Sequence, residues 1–141
     1  MQIQPYLFFN GHCNAAIEFY KKVFGAQVTS LTRLKDIPAS DHPQQLPPGA
    51  ENMVMHADVQ IGDTTIMVSD GRGTGELAFK GFALSSAQAD EAAARRVFAA
   101  LAEQGKIDMP MEETFWSPCF GMVTDRFGVQ WMVTVPIRKS M

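Results

Sequence analysis

Glu113-Thr-Phe-Trp-Ser-Pro-Cys-Phe-Gly-Met-Val-Thr-Asp-Arg-Phe-Gly-Val-Gln-Trp-Met-Val-Thr-Val-Pro136 reads as two β-strands joined at Asp125-Arg-Phe-Gly128, with a further strand arriving through Phe115-Trp116. Turn residues flank runs of aromatic and β-branched side chains, the pattern of a strand–turn–strand unit. Asp125-Arg-Phe-Gly128 predicts a turn in which Gly128 takes a backbone angle other residues disfavour, with Arg126 in solvent.

Working outward from this run, Leu77 to Ser85 predicts a strand and Gln88 to Glu103 a helix. Ala94, Val97, Phe98 and Leu101 form the buried stripe of that helix, Gly105 ends it, and a strand follows near Ile107 to Trp116. The first half has the same order. Residues 3–9, with Tyr6, Phe8 and Phe9, predict a strand ending at Asn10-Gly11. Asn14 is a candidate helix N-cap, Ile17, Tyr20 and Phe24 recur on one face, and Gly25 stands at the stop position. A strand follows from about Gln27 to Leu34.

Residues 36–52 hold four prolines and no periodicity, which predicts a long loop, either a lid or a plain connector; His42 within it has no special claim. Met53 to Ile61 alternates, with Met53, Met55, Ala57, Val59 and Ile61 on one face and Val54, His56, Asp58 and Gln60 on the other. Gly62-Asp63 turns the chain into a strand from Thr64 to Ser69. The glycine cluster Asp70-Gly-Arg-Gly-Thr-Gly75 lacks the Lys-Ser/Thr of a phosphate loop and reads as a flexible turn. Strand–helix–strand–strand–strand therefore occurs twice, and Ile66-Met-Val-Ser69 matches Trp131-Met-Val-Thr134. The expectation is an α+β domain over 1–141 built from two βαβββ modules, about 1–74 and 75–141.

At 141 residues the chain can bury one core, and 46% hydrophobic with 19% charged residues is a globular composition. A formal charge of -3 leaves no basic footprint for nucleic acid or an anionic membrane. No apolar run approaches the roughly 18 residues of a membrane span. Met1-Gln-Ile-Gln-Pro-Tyr6 lacks a signal-peptide layout, so a cytoplasmic protein is expected. Cys13 and Cys119 show neither metal-ligand nor redox spacing and read as free, partly buried thiols; a reactive Cys119 in a Ser-Pro-Cys-Phe-Gly loop is the sharper alternative.

The chain resembles the PhnB-type branch of the vicinal oxygen chelate superfamily (glyoxalase, bleomycin-resistance proteins, extradiol dioxygenases). The matching stretches are Pro5-Tyr-Leu-Phe-Phe9, Ala16-Ile-Glu-Phe-Tyr-Lys-Lys-Val-Phe-Gly-Ala26, His56-Ala57, Ile66-Met-Val-Ser-Asp70, Glu113-Thr-Phe-Trp116 and Phe120-Gly-Met-Val-Thr-Asp-Arg-Phe-Gly-Val-Gln-Trp-Met132. The resemblance implies curled mixed sheets with helices on the convex side, concave faces that form a cavity, and a homodimer, either module-swapped or side by side. Some members of the branch carry a ubiquinone-methyltransferase label, but no Gly-rich nucleotide loop supports that activity here. Metal-dependent relatives hold a divalent ion with His and Glu, at places that fall here near Pro5, Met67, Gly81 and Met132. None of these supplies an oxygen or imidazole ligand, so the resemblance implies that the usual metal site is lost and no metal or other cofactor is expected.

If those positions face the cavity, strand parity adds Leu7 and Phe9, Thr65 and Ser69, Ala83 and Ser85, and Gln130 and Thr134. His56 is a candidate base or ligand contact, the blander reading being a histidine bonded to Asp70 or to backbone. Glu113, at strand parity with Met109, Met111 and Phe115, is a candidate base, the alternative being a rim carboxylate or an ion pair with Arg126. Phe115, Trp116 and Phe120 form either an aromatic wall or core and dimer packing. The expected ligand-binding set is thus Phe9, His56, Met67, Ser69, Gly81, Ala83, Glu113, Phe115, Trp116, Gln130 and Met132.

The expected function is metal-free binding of a small apolar or aromatic molecule. The alternative is an isomerase-, lyase- or dioxygenase-like enzyme using His56, Glu113 and Asp70, or a relocated metal site. A purely structural module is the third reading.

Overall fold

The computed structural model describes residues 1–38, 49–71 and 75–137. His42 and most of the proline-rich stretch lie outside these residues, as do positions 72–74 of the glycine cluster. The chain divides into two units, Met1–Leu77 and Ala78–Met141.

The first unit runs β1 (Tyr6–Phe8), α1 (Cys13–Phe24), β2 (Gln27–Arg33), β3 (Val54–Ile61) and β4 (Thr64–Ser69), with short 3-10 turns at Leu34–Asp36 and Ala50–Asn52. Its strands lie in the order β1-β4-β3-β2, with β1 parallel to β4 and the other pairs antiparallel. The second unit runs β5 (Leu84–Ala87), α2 (Glu91–Ala102), β6 (Lys106–Glu112), β7 (Cys119–Thr124) and β8 (Gln130–Val135), in the order β5-β8-β7-β6. The two strand orders are the same permutation, so the duplicated βαβββ pattern is a duplicated topology.

In each unit one sheet face is packed by the helix. Tyr20, Ile17, Ala16 and Cys13 of α1 are buried with Leu7, Phe9, Ala57, Val59, Ile66 and Val68. Burying a side chain of the size of Tyr20 or Leu7 stabilises the unit by about 1.5–3 kcal/mol. Ala94, Val97, Phe98 and Leu101 of α2 do the same against Cys119, Val123, Trp131 and Val133. At Gly121 the approach of the helix is tight: a Cβ there would stand 2.7 Å from Phe98 Cε2 and 2.6 Å from Met111 Sδ.

The caps depart from the expected ones in detail. α1 starts at Cys13, one residue before Asn14, and no local side chain caps it. Asp70 caps it from outside, accepting the Cys13 N–H at 2.8 Å. Asn14 instead accepts from the Arg33 guanidinium at 2.8 Å. Gly25 ends α1 in the left-handed region, as its position predicts. α2 is capped by Asp90, which accepts the Ala93 N–H at 2.8 Å, so the helix begins three residues after Gln88. It is Gln104, φ 60°, that takes the left-handed angle after α2. Gly105 is needed for a different reason: a Cβ there would run into the Thr124 carbonyl.

Bulges change the parity read from sequence. The β2–β3 ladder steps from Thr32–His56 to Arg33–Val54, leaving Met55 as an extra residue. Val54 is therefore turned into the core at 1% exposure, while Met55 is exposed at 39%. β6 carries two such irregularities and contains Pro110, which its edge position tolerates because no inner neighbour needs that N–H.

Candidate ligand-binding site

The site begins with β1, where Tyr6, Leu7, Phe8 and Phe9 are aromatic or apolar on both faces and parity counted from Pro5 points Leu7 and Phe9 to the open side. The register settles it. Tyr6 pairs with Met67 and Leu7 with Val68, so Leu7 joins the core while Tyr6 and Phe8 lie on the face without a helix. Leu7 and Phe9, both expected on the open face, are instead buried, the Phe9 ring 6.2 Å from that of Tyr20. The physical reason is that a phenol tolerates water at its hydroxyl, whereas Leu7 and Phe9 offer only apolar surface to α1.

On this open face, His56 and Asp58 rise from β3, and the Tyr6 side chain reaches across β4 to meet them. Tyr6 Oη lies 2.9 Å from His56 Nδ1, and His56 Nε2 lies 2.8 Å from Asp58 Oδ1. An ionised carboxylate only accepts, so Nε2 carries the proton, and in the neutral imidazole Nδ1 accepts from the Tyr6 hydroxyl. The Tyr6 ring also stacks on Phe8, centroids 5.0 Å apart at 26°. Tyr6 is 40% and Phe8 52% exposed, so this aromatic pair presents surface to solvent.

His56 is thus tied to Tyr6 and Asp58, not to Asp70. Asp70 is 1% exposed, and its carboxylate accepts the backbone N–H groups of Gly11, Cys13 and Val54 at 2.9, 2.8 and 2.8 Å. It holds the start of α1 against the start of β3 and presents no oxygen to a ligand face. Ser69 is likewise buried at 4%, with its hydroxyl accepting from the Gly71 N–H at 2.9 Å. Met67 is half-buried on the open face, in register with both Tyr6 and Asp58.

In the second unit the open face carries Ser85 on β5, Gln130, Met132 and Thr134 on β8, and Phe120 and Met122 on β7. Gln130 and Met132 stand as parity predicts, both half-exposed. Gly81 and Ala83 do not: β5 begins at Leu84, and Ser85 is the residue that pairs with Met132. Gly81 precedes the strand with φ 82° and open space where a Cβ would be.

Glu113 also departs from its expected place. β6 ends at Glu112, and 113–118 turn instead of extending, because Thr114 N–H donates to the Ser117 carbonyl at 2.8 Å and Ser117 N–H to Thr114 Oγ1 at 3.0 Å. Glu113 is consequently an exposed carboxylate off the sheet. Phe115, Trp116 and Phe120 do form an aromatic run. Trp116 meets Phe120 edge-on at 5.4 Å and Phe115 meets Trp116 edge-on at 4.7 Å. Exposure rises along it from 5% at Phe120 through 47% at Trp116 to 90% at Phe115.

The cysteines are both free and fully buried. Burial, reinforced by the Asp70 carboxylate and partly offset by Arg33, pushes the Cys13 thiol up to about 12. Cys119 sits on β7, not in a loop; burial raises its thiol too, outweighing the lowering influence of Arg95. Neither has the low-pKa surroundings of a reactive thiol.

The sequence model of the Glyoxalase/Bleomycin resistance protein/Dioxygenase superfamily matches residues 2–133. The chain belongs to that superfamily. It is similar to protein YjdN of Escherichia coli strain K12, 39% identical over 142 residues, covering 96% of this chain and 95% of that protein. Among solved structures it is similar to protein PA1353 from Pseudomonas aeruginosa, 39% identical with a TM-score of 0.76, covering 96% of this chain and 98% of the other. It is also similar to the PhnB protein from Bacillus cereus, 26% identical with a TM-score of 0.77, covering 96% and 99%. The family and its PhnB-like branch are therefore as the sequence stretches imply. Among the described residues no helix is long and apolar enough to cross a membrane.

Sequence reading placed His56 and Asp58 on one face but missed Tyr6 as their partner. The available signal was chemical: of Tyr6, Leu7, Phe8 and Phe9, Tyr6 alone carries a hydroxyl that gains from a wet, polar face.

Proposed function

We propose that the protein binds a small, largely apolar or aromatic molecule without a resident divalent metal, acting as a binding or sequestering protein of its superfamily. The observation that carries the reading is the chemistry of the strand pairs β1–β4 and β5–β8. Their open faces bring together Tyr6 with Met67 and Ser85 with Met132. A phenol, a hydroxyl and two thioethers do not fit the divalent ion that metal-dependent relatives hold with His and Glu. Among the described residues no group of three or more His, Cys, Asp and Glu is placed to hold a metal. The stacked and partly exposed rings of Tyr6 and Phe8 suit a planar guest.

The protein works in the cytoplasm as a homodimer under this proposal. A residue as exposed as Phe115, at 90%, supports a second copy as its cover.

The test is metal analysis of the purified protein, paired with a thermal-shift screen of aromatic compounds and of divalent ions. Stabilisation by aromatics with no bound metal is expected. Stoichiometric metal, or a large metal-induced shift abolished by His56→Ala, would overturn the reading in favour of a rebuilt metal centre.

A further inference from the structure

The Tyr6–His56–Asp58 chain has the parts of a proton relay, and neither the family assignment nor the binding proposal uses it. Tyr6 Oη, with its proton directed to His56 Nδ1 at 2.9 Å, keeps lone pairs free to accept a hydrogen bond from a guest. Asp58, 2.8 Å from Nε2, stabilises the imidazolium that forms if Nδ1 takes that proton. Imidazole is the side chain suited to exchanging protons near neutral pH. His56 and Asp58 are about one-third exposed, at 29% and 34% by side chain, so the relay is shielded but reachable. Its surroundings carry few competing charges. β2 sets Thr32 against His56, and β4 contributes Met67 beside Asp58. Arg33, next along β2, turns its guanidinium to Asn14 and to the Asn52 carbonyl. Tyr6 and Asp58 are thus the titratable groups facing His56 from these strands. Beside the relay, the stacked Tyr6 and Phe8 rings offer a flat apolar surface.

We propose that this constellation recognises a planar aromatic ligand bearing a weakly acidic hydroxyl, a phenol or a ring enol, and holds it as the anion. The inference rests on the small-molecule-binding reading above. The ligand O–H breaks and its proton bonds to Tyr6 Oη. The original Tyr6 proton passes to His56 Nδ1. Two protons shift in concert, for a net transfer of one from the ligand to the imidazole; no electrons are exchanged, and the net charge of the complex is unchanged. Tyr6 remains neutral and donates to the ligand oxyanion, while the imidazolium lies between Tyr6 and Asp58.

The probe is 4-nitrophenol, whose phenolate absorbs visible light and whose phenol form does not. At a pH one unit below the probe's own pKa, about one-tenth of the free probe is ionised. Saturating protein is expected to raise the phenolate absorbance about fivefold, with binding measured separately by equilibrium dialysis. Tyr6→Phe and His56→Gln are each expected to abolish the gain while still retaining the probe in dialysis, since the ring surface survives in both. A bound probe that stays neutral in the unmutated protein overturns the relay and leaves the binding reading standing. A phenolate gain that persists in both variants overturns the relay as well. Absence of any binding in dialysis overturns the relay proposal, whereas the small-molecule-binding reading falls only if the screen of aromatic compounds also finds no stabilisation.

Discussion

Asp70 gives the sharpest test of how the first unit is held together. Its carboxylate is 1% exposed and accepts three backbone N–H groups, from Gly11, Cys13 and Val54. Asp70→Ala removes all three charge-assisted bonds. The Cys13 and Val54 groups are buried, and each orphaned donor costs about 1–2 kcal/mol; the part-buried Gly11 N–H can turn to water and adds about 0.5 kcal/mol. The expected loss is therefore about 2.5–4.5 kcal/mol, a large fraction of the roughly 5–15 kcal/mol that stabilises an ordinary domain. Asp70→Asn keeps one oxygen for Gly11 and Cys13 but sets an amide N–H₂ against the Val54 N–H, so it should fall between. Urea unfolding followed by circular dichroism would read the Ala variant as a midpoint about 2 M lower, for a slope of about 2 kcal/mol per M. A loss under about 1 kcal/mol in Asp70→Ala would show that the three N–H groups find other partners, and the structural role assigned to Asp70 would fall. It would also reopen Asp70 as a group available to a ligand.

Other consequences are as direct. Gly121→Ala places a methyl against Phe98 and Met111 and should cost about 1–3 kcal/mol by thermal or urea unfolding; no change would refute the tight packing of α2 on β7. Ser117, fully buried, accepts the Cys119 N–H at 3.1 Å and the Val135 N–H at 3.3 Å, so Ser117→Ala should destabilise by about 2 kcal/mol, whereas a neutral result would reassign the joint between β7 and β8. The Cys13 thiol is raised by folding to about 12, so the folded state keeps its proton where the unfolded chain has lost it. The stability this contributes is whole below the ordinary thiol range and declines as pH rises toward that value. Thermal midpoints should therefore fall over that window less in Cys13→Val than in the unmutated chain, and a thiol reagent at neutral pH should label neither cysteine until the protein is unfolded.

Much of this arrangement was legible before any coordinates. Thr64 to Ser69 is a strand at the bounds its sequence predicts, Gly25 ends α1, and Gly128, with φ 92°, closes the Asp125 turn. These features are local, and local chemistry decides them. Val54, Gly81 and Glu113 depart from strand parity because counting alternate residues fails wherever a strand starts late, ends early or carries an extra residue. Phe9 departs for another reason: it keeps its alternation with Leu7, but register sets Tyr6, not Pro5, beside Met67. The Met55 bulge inverted Val54, the late start of β5 left Gly81 outside the sheet, and the Thr114–Ser117 turn took Glu113 off it.

Sequence by itself determined the family, the doubled βαβββ order, the buried stripe of α2 and, on α1, Ile17 and Tyr20 but not Phe24, because propensity, capping and periodicity act over a few neighbouring positions. Tertiary structure alone decided which aromatic of β1 meets His56 and which carboxylates are consumed by backbone. Tyr6 and His56 are 50 positions apart, and Asp70 binds Gly11 across 59. Such pairings arise from strand register and loop closure, which no short stretch of sequence encodes.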